Sequence, residues 1–187
     1  MKLLGTKILE TDRLLLRKTK DSDVEPMFYN WANDSRVTKY LTWEPYESPE
    51  QLKETYHQYL MDNKDKPDVF DWKIVLKETG EPIGSIGVVK IFENIDAVEI
   101  GYCLGYDYWH KGIMTEALTK VIQFLFDEVG VNRISAHHDV NNPNSGKVMN
   151  KCGLVKEGLF KQGGRNNTGI VDICQHALIR EDYNKDC

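Results

Sequence analysis

The chain has 187 residues, 41% of them apolar and 28% charged, with 24 Lys plus Arg against 29 Asp plus Glu and a formal net charge of −5. This composition excludes long disorder, a collagen-like repeat and a disulfide scaffold, and the length suffices for one self-sufficient domain over residues 1–187. An acidic body is a poor nonspecific binder of nucleic acid, which needs a basic field, and it mildly attracts cationic partners such as amines.

The first predicted element is a strand over residues 13–17. Asp21, Ser22 and Asp23 then offer helix caps, and Met27, Phe28 and Trp31 recur at helical spacing. Ser48, Pro49 and Gln51 combine a capping serine, a proline at the first helical position and a capping-box glutamine, which predicts a helix to about residue 62. Three strands follow, over residues 70–77, 82–92 and 97–104, joined by short turns as an antiparallel meander. A glycine-flanked loop over residues 105–112 leads into a helix over residues 114–129. Its apolar face is Ala117, Val121, Ile122, Leu125 and Phe126. A strand over residues 133–140, a short helix over 144–151 closed by Gly153, and strands over 154–161 and 169–180 complete the chain. Strands in mixed order, with helices on their connections, predict an α/β or α+β fold with helices covering a central sheet.

Cys103, Cys152, Cys174 and Cys187 form no C-x-x-C pair and no zinc spacing. Free thiols in a reducing cytoplasm are expected, with no metal. The opening residues are too polar for a signal peptide, and no apolar run approaches the roughly 20 residues of a membrane span, so no membrane contact is expected. The sequons at Asn33 and Asn166 therefore read as chance matches. His137 and His138 are adjacent on a strand, point to opposite faces and cannot share a metal ion, so core or surface roles are expected for them. Tyr40, Trp43 and Tyr46 are expected to pack around the early helices, with a wall of a substrate site as the alternative.

Two stretches carry chemistry. In the first, a strand with Glu99, Tyr102, Cys103 and Leu104 runs through Trp109, His110, Lys111 and Gly112 into a helix beginning near Ile113, Met114 and Thr115. A helix N-terminus presents free amides and a positive dipole end, where a pyrophosphate fits. Gly112 would let the backbone curl close to phosphate, and Lys111 adds charge. A plain strand-to-helix turn would explain the glycine equally well. The second stretch places Asn142, Ser145, Lys151, Gly153, Glu157 and Gly158 around the short helix. A capped helix with a glycine stop explains part of it, but not Asn142, Ser145 and Lys151 together.

Together the stretches resemble the GNAT acyl-CoA N-acyltransferase superfamily, and more closely its RimJ/RimL-type ribosomal-protein N-acetyltransferases. The first looks like that group's E-I-G-Y-x-L…W-x-K-G-x-x-T-E-A-L, the second like its N-x-x-S…K-x-G-F-x-x-E-G. The resemblance extends from about residue 8 to 183. It implies acetyl-CoA as acyl donor, and a mostly antiparallel sheet that splays between two parallel strands, here residues 97–104 and 133–140. A bulge in the first would expose Tyr102, Cys103 and Leu104 to pantetheine. The backbone of His110, Lys111, Gly112, Ile113, Met114 and Thr115 would hold the pyrophosphate. Asn142 would bond the pantetheine arm, and Lys151 would reach the nucleotide side.

Trp109 and Met114 depart from the superfamily's Gln/Arg and Gly/Ala, and Cys152 and Leu154 from its Leu and Phe. Amide binding tolerates Met114 if its side chain points away; the other two read as packing changes. Amide formation from a thioester needs a base, oxyanion donors and help for the leaving thiolate. The resemblance gives the last role to Ser145; the alternative is a serine bonding its own helix. The glutamate base of some relatives has no counterpart near residues 161–165, so Glu99 stands in, against a purely structural carboxylate, Asp107 or a tyrosine. Cys103 reads as a small apolar residue, not a nucleophile. The expected activity is acetyl transfer to a primary amine, on a ribosomal-protein N-terminus or on a polyamine or aminoglycoside. A noncatalytic acyl-CoA-binding module is the alternative, and a homodimer is compatible with either.

Overall fold

An eight-stranded sheet frames the computed structural model, which describes residues 1–63 and 66–185. The strands are β1 (Leu9–Glu10), β2 (Leu14–Arg17), β3 (Asp71–Leu76), β4 (Pro82–Phe92), β5 (Ala97–Leu104), β6 (Arg133–Asp139), β7 (Val155–Asn166) and β8 (Gly169–Ile179). They lie in the order β1-β2-β3-β4-β5-β6-β8-β7. Neighbours are antiparallel except β5 and β6, which run parallel. The helices are α1 (Val24–Met27), α2 (Ser35–Thr38), α3 (Pro49–Asn63), α4 (Ile113–Phe124), α5 (Pro143–Lys151) and α6 (Arg180–Tyr183). The mixed fold with a mostly antiparallel sheet is the one the sequence predicts.

Side chains alternate across each strand, so every strand serves two layers. On β5, Val98, Ile100 and Leu104 join the buried core under α4, with Ala117, Leu118, Val121 and Phe126. Cys103 faces the other way, against a smaller cluster of Val24, Met27, Phe28, Trp31 and Leu52 from α1, α3 and their connection. The parallel ladder pairs only Ala97, Val98 and Glu99 with Arg133, Ile134 and Ser135. Beyond Glu99 the two strands part. That opening is the architectural feature that creates the site.

Four local features differ from expectation. The bulge lies on β4, not β5: Val88 pairs with Ile100 and Lys90 with Glu99, which leaves Val89 over. Gly101 makes room for it, because a Cβ there would sit 2.9 Å from Val89 Cγ1. β7 runs on to Asn166 through two bulges, between Lys156 and Gly158 and between Phe160 and Gly164. A Cβ on Gly163 would lie 2.7 Å from Phe160 Cβ, so the glycines that look like breakers allow the strand to fold over itself. The helix near Met27 widens into a looser turn over Phe28–Ala32, and α4 does the same over Leu125–Val129. Gln51 reaches back to the Glu47 amide at 2.9 Å, one residue earlier than a capping box requires, while Ser48 Oγ accepts from Gln51 as expected.

Among the described residues no helix is long and apolar enough to cross a membrane, and no group of three or more His, Cys, Asp or Glu is assembled for a metal. Cys103, Cys152 and Cys174 are free thiols; Cys187 lies outside the described residues. Asn166 of the second sequon donates to Asp139 at 2.8 Å, so its amide is committed to the fold.

Candidate active site

A cavity of about 660 Å³ opens where β5 and β6 part, and Glu99, Tyr102, Cys103, His137, Asn142 and Ser145 line it together. Because neighbours on a strand face opposite ways, these residues fall on two sides of the opening. Tyr102 and the α5 residues lie on one side, Glu99 and His137 on the other.

On the first side Pro143 starts α5 immediately after Asn142. The Asn142 amide donates to Asp139 O at 2.8 Å, so the end of β6 anchors the helix start. Ser145, in the first turn, has its Oγ 3.0 Å from the Tyr102 hydroxyl, which also donates to Ser145 O at 3.1 Å. Burial pushes the Tyr102 phenol far above its ordinary range, so it stays protonated at any working pH. The serine therefore does not merely cap its own helix. Gly146 lets α5 approach β6, because a Cβ there would lie 2.5 Å from His138 Nε2.

At the head of β5, Trp109 Nε1 donates to Leu104 O at 2.7 Å. The tryptophan that departs from the superfamily pattern thus folds the loop back on the strand and occupies that carbonyl. His110 and Gly112 take positive φ, 61° and 73°, and α4 begins at Ile113. The first helical bond there is Glu116 N to Gly112 O at 3.0 Å. The amides of Gly112, Ile113, Met114 and Thr115 are then the ones a helix start leaves for an anion. Met114 is buried and its side chain joins the core cluster with Ala117 and Leu118. Cys152 Sγ packs against α4, 3.5 Å from Thr115 O and from Thr119 Oγ1, in keeping with a packing change.

A lock holds this loop that the sequence did not disclose. Glu116 accepts from Thr11 Oγ1 at 2.5 Å, from the Arg13 amide at 3.0 Å and from Arg13 Nε at 2.7 Å. Arg13 Nη1 donates in turn to Lys111 O at 3.0 Å. Burial pushes Glu116 up, but the Thr11 and Arg13 bonds outweigh it and leave the carboxyl below its ordinary value. Lys151, by contrast, is exposed on the last turn of α5, about 12 Å along the helix from Pro143, and does not line the cavity.

On the other side Glu99 Oε1 lies 3.2 Å from His137 Nδ1. The bond to His137 holds Glu99 below the usual carboxylate value, and the same bond raises His137 above 6.5 despite its partial burial. No local pattern singles out His137; its pairing with Glu99 follows from the β5–β6 register, which puts Ser135 opposite Glu99 and His137 two residues on. His138 faces the other layer, 5.2 Å from the His176 ring.

Tyr40, Trp43, Tyr56 and Tyr59 also line the cavity, whereas Tyr46 packs behind Trp43. Asn167 holds that wall with Nδ2 bonds to Thr38 O at 2.9 Å and Trp43 O at 2.8 Å. Beneath it Lys73 is fully buried and bonded to Asp71 Oδ2 at 2.9 Å and Ser85 Oγ at 3.1 Å. Burial pushes the Cys103 thiol up to about 11, so it is not a thiolate near neutrality.

The family model for the acetyltransferase (GNAT) domain matches residues 13–155. The uncharacterized N-acetyltransferase YoaA of Bacillus subtilis is 35% identical over 173 residues, 92% of this chain and 97% of that protein. A spermidine N(1)-acetyltransferase of Vibrio cholerae is 24% identical over 91% of this chain and 95% of its own. The [ribosomal protein uS5]-alanine N-acetyltransferase of Escherichia coli is 26% identical over 82% and 80%. Among solved structures, a GNAT-family acetyltransferase from Bacillus anthracis superposes with a TM-score of 0.80 at 26% identity, covering 94% of this chain and 99% of that one.

Proposed function

The chain belongs to the GNAT acetyltransferase family, and on that premise we propose that it transfers an acetyl group from acetyl-CoA to a primary amine carried on a small molecule or a flexible chain end. The observation that carries this is the opening between β5 and β6. A hydroxyl pair, Tyr102 and Ser145, stands on one side of it and a carboxylate–imidazole pair, Glu99 and His137, on the other, all facing one cavity.

The residues present fit acetyl-CoA, which supplies an activated thioester when bound. The amides from Gly112 to Thr115, with His110 and Lys111, would meet its phosphates. The β5 edge at Tyr102 and Cys103, beyond the reach of the β6 ladder, and Asn142 would bond its amide-bearing arm, while the indole bond to Leu104 O takes that carbonyl out of the set. Lys151 would add only an exposed charge on the nucleotide side. Ser145 Oγ–H would donate toward the departing sulfur, with the Tyr102 hydroxyl, bonded to Ser145 O, holding the serine in place. The Glu99–His137 pair would take the proton that the amine must lose. Glu99, Asp139 and the four aromatic rings give the acceptor side a surface suited to a cationic amine, the Asp71 charge being met by buried Lys73. The relatives named for spermidine and for uS5 alanine both carry amine acceptors in their names.

The test measures release of free CoA thiol from acetyl-CoA over a panel of polyamines, aminoglycosides and ribosomal-protein N-terminal peptides. At least one amine should be acetylated. Ser145→Ala should lower turnover about 10²-fold while acetyl-CoA binds nearly as before. Tight CoA binding without turnover of any amine would instead make the chain a binding module.

A further inference from the structure

We infer that His137, oriented by Glu99, is the group that takes the proton from the acceptor amine, an assignment that rests on acetyl transfer at this cleft. The geometry separates the two members of the pair. Both residues line the cavity, but the His137 side chain is 43% exposed against 20% for Glu99, whose Oε1 is turned to the His137 ring. Glu99 engages Nδ1, so in the neutral ring Nδ1 carries the hydrogen and Nε2 keeps the lone pair. An ammonium N–H bond breaks, an N–H bond forms at Nε2, and the electron pair left on nitrogen becomes the nucleophile. Both residues sit where the β5–β6 ladder ends, on the side away from Ser145. Proton removal and leaving-group assistance thus come from opposite sides of the opening.

The electrostatic setting supports the same division. A base works best with a pKa near the operating pH. The bond to His137 moves Glu99 away from that range, and the same bond moves His137 up toward it. Asp71, His138, Tyr40, Tyr56, Tyr59 and Cys103 share the cavity with the pair. Lys90 of β4 pairs opposite Glu99, neutral Gln175 of β8 pairs opposite His137, and Arg165 of β7 lines the cavity. Asp139, two residues along β6, is occupied by the Asn141 and Asn166 amides.

Two measurements test the assignment. In the first, the ring carbons of labelled histidine are titrated by NMR in the free protein, with His137→Gln identifying the resonance. His137 should titrate above 6.5, and Glu99→Gln should lower that titration. An unmoved titration would overturn the orienting role. In the second, kcat/KM is followed against pH for an amine the wild-type protein acetylates. Its acid limb should track the His137 titration and shift to lower pH in Glu99→Gln. His137→Gln should lose about 10²-fold in kcat/KM, with partial recovery in added imidazole. Full activity in His137→Gln, or an acid limb erased by Glu99→Gln alone, would overturn the inference and leave amine acetylation standing. Failure of every amine with the wild-type protein would overturn both.

Discussion

Replacing Gly146 with alanine sets two opposing effects against each other. Gly146 is buried in the middle of α5, and a Cβ would stand 2.5 Å from His138 Nε2 and 3.0 Å from Cε1. Ordinary contact begins at 3.4 Å, so something must move by about 0.9 Å. The ring resists, because His138 Nδ1 is 2.8 Å from Asp139 O and the His176 ring lies 5.2 Å away. The helix should therefore yield. Alanine gains about 0.8–1.0 kcal/mol of helix propensity, and overpacking costs about 1–3 kcal/mol, for a net loss of about 0–2 kcal/mol. In a chain of this size that is a fall in Tm of no more than about 8 °C. The consequence for the site is larger. Ser145 is the adjacent residue, and the same displacement stretches its 3.0 Å contact with Tyr102 to about 3.9 Å, beyond hydrogen-bond range. A misplacement near 1 Å costs about 10²-fold in rate. CoA-thiol release alongside thermal melting reads both effects. Unchanged turnover with an equal or higher Tm would show that the glycine does not seat α5, and the reasoning would fail.

Two further substitutions probe the supports of the site. Glu116→Ala removes the acceptor shared by Thr11 and Arg13, and should cost about 1–3 kcal/mol, toward the low end because Arg13 is 47% exposed. KM for acetyl-CoA should rise about tenfold with a smaller change in kcat; an unaltered KM would detach this lock from the phosphate loop. Asn167→Ala removes two bonds to the wall over Thr38 and Trp43 and should cost about 1–2 kcal/mol. It should raise KM for the acceptor but not for acetyl-CoA, and the reverse pattern would put that wall on the donor side.

The pattern of apolar residues by itself determined where most elements lie. Residues 82–92 and 97–104 are strands with the expected bounds, and the α4 face of Ala117, Val121, Ile122, Leu125 and Phe126 is buried as its spacing requires. Periodicity and caps are local properties, so sequence carries them. The two motifs likewise singled out Asn142 and Ser145, which line the cavity, and the loop that leads into α4, because each motif is a contiguous segment. What tertiary structure alone decided are contacts across distance. The bulge on β4, the Thr11–Arg13–Glu116 lock, the indole bond to Leu104 and the Glu99–His137 pair each join segments whose register no local pattern sets. A one-residue slip between β5 and β6 would turn His137 to the opposite face and dissolve the pair. The sequence thus names the groups that can do the chemistry. The parting of two parallel strands after three residue pairs decides which of them share a cavity and on which side each stands.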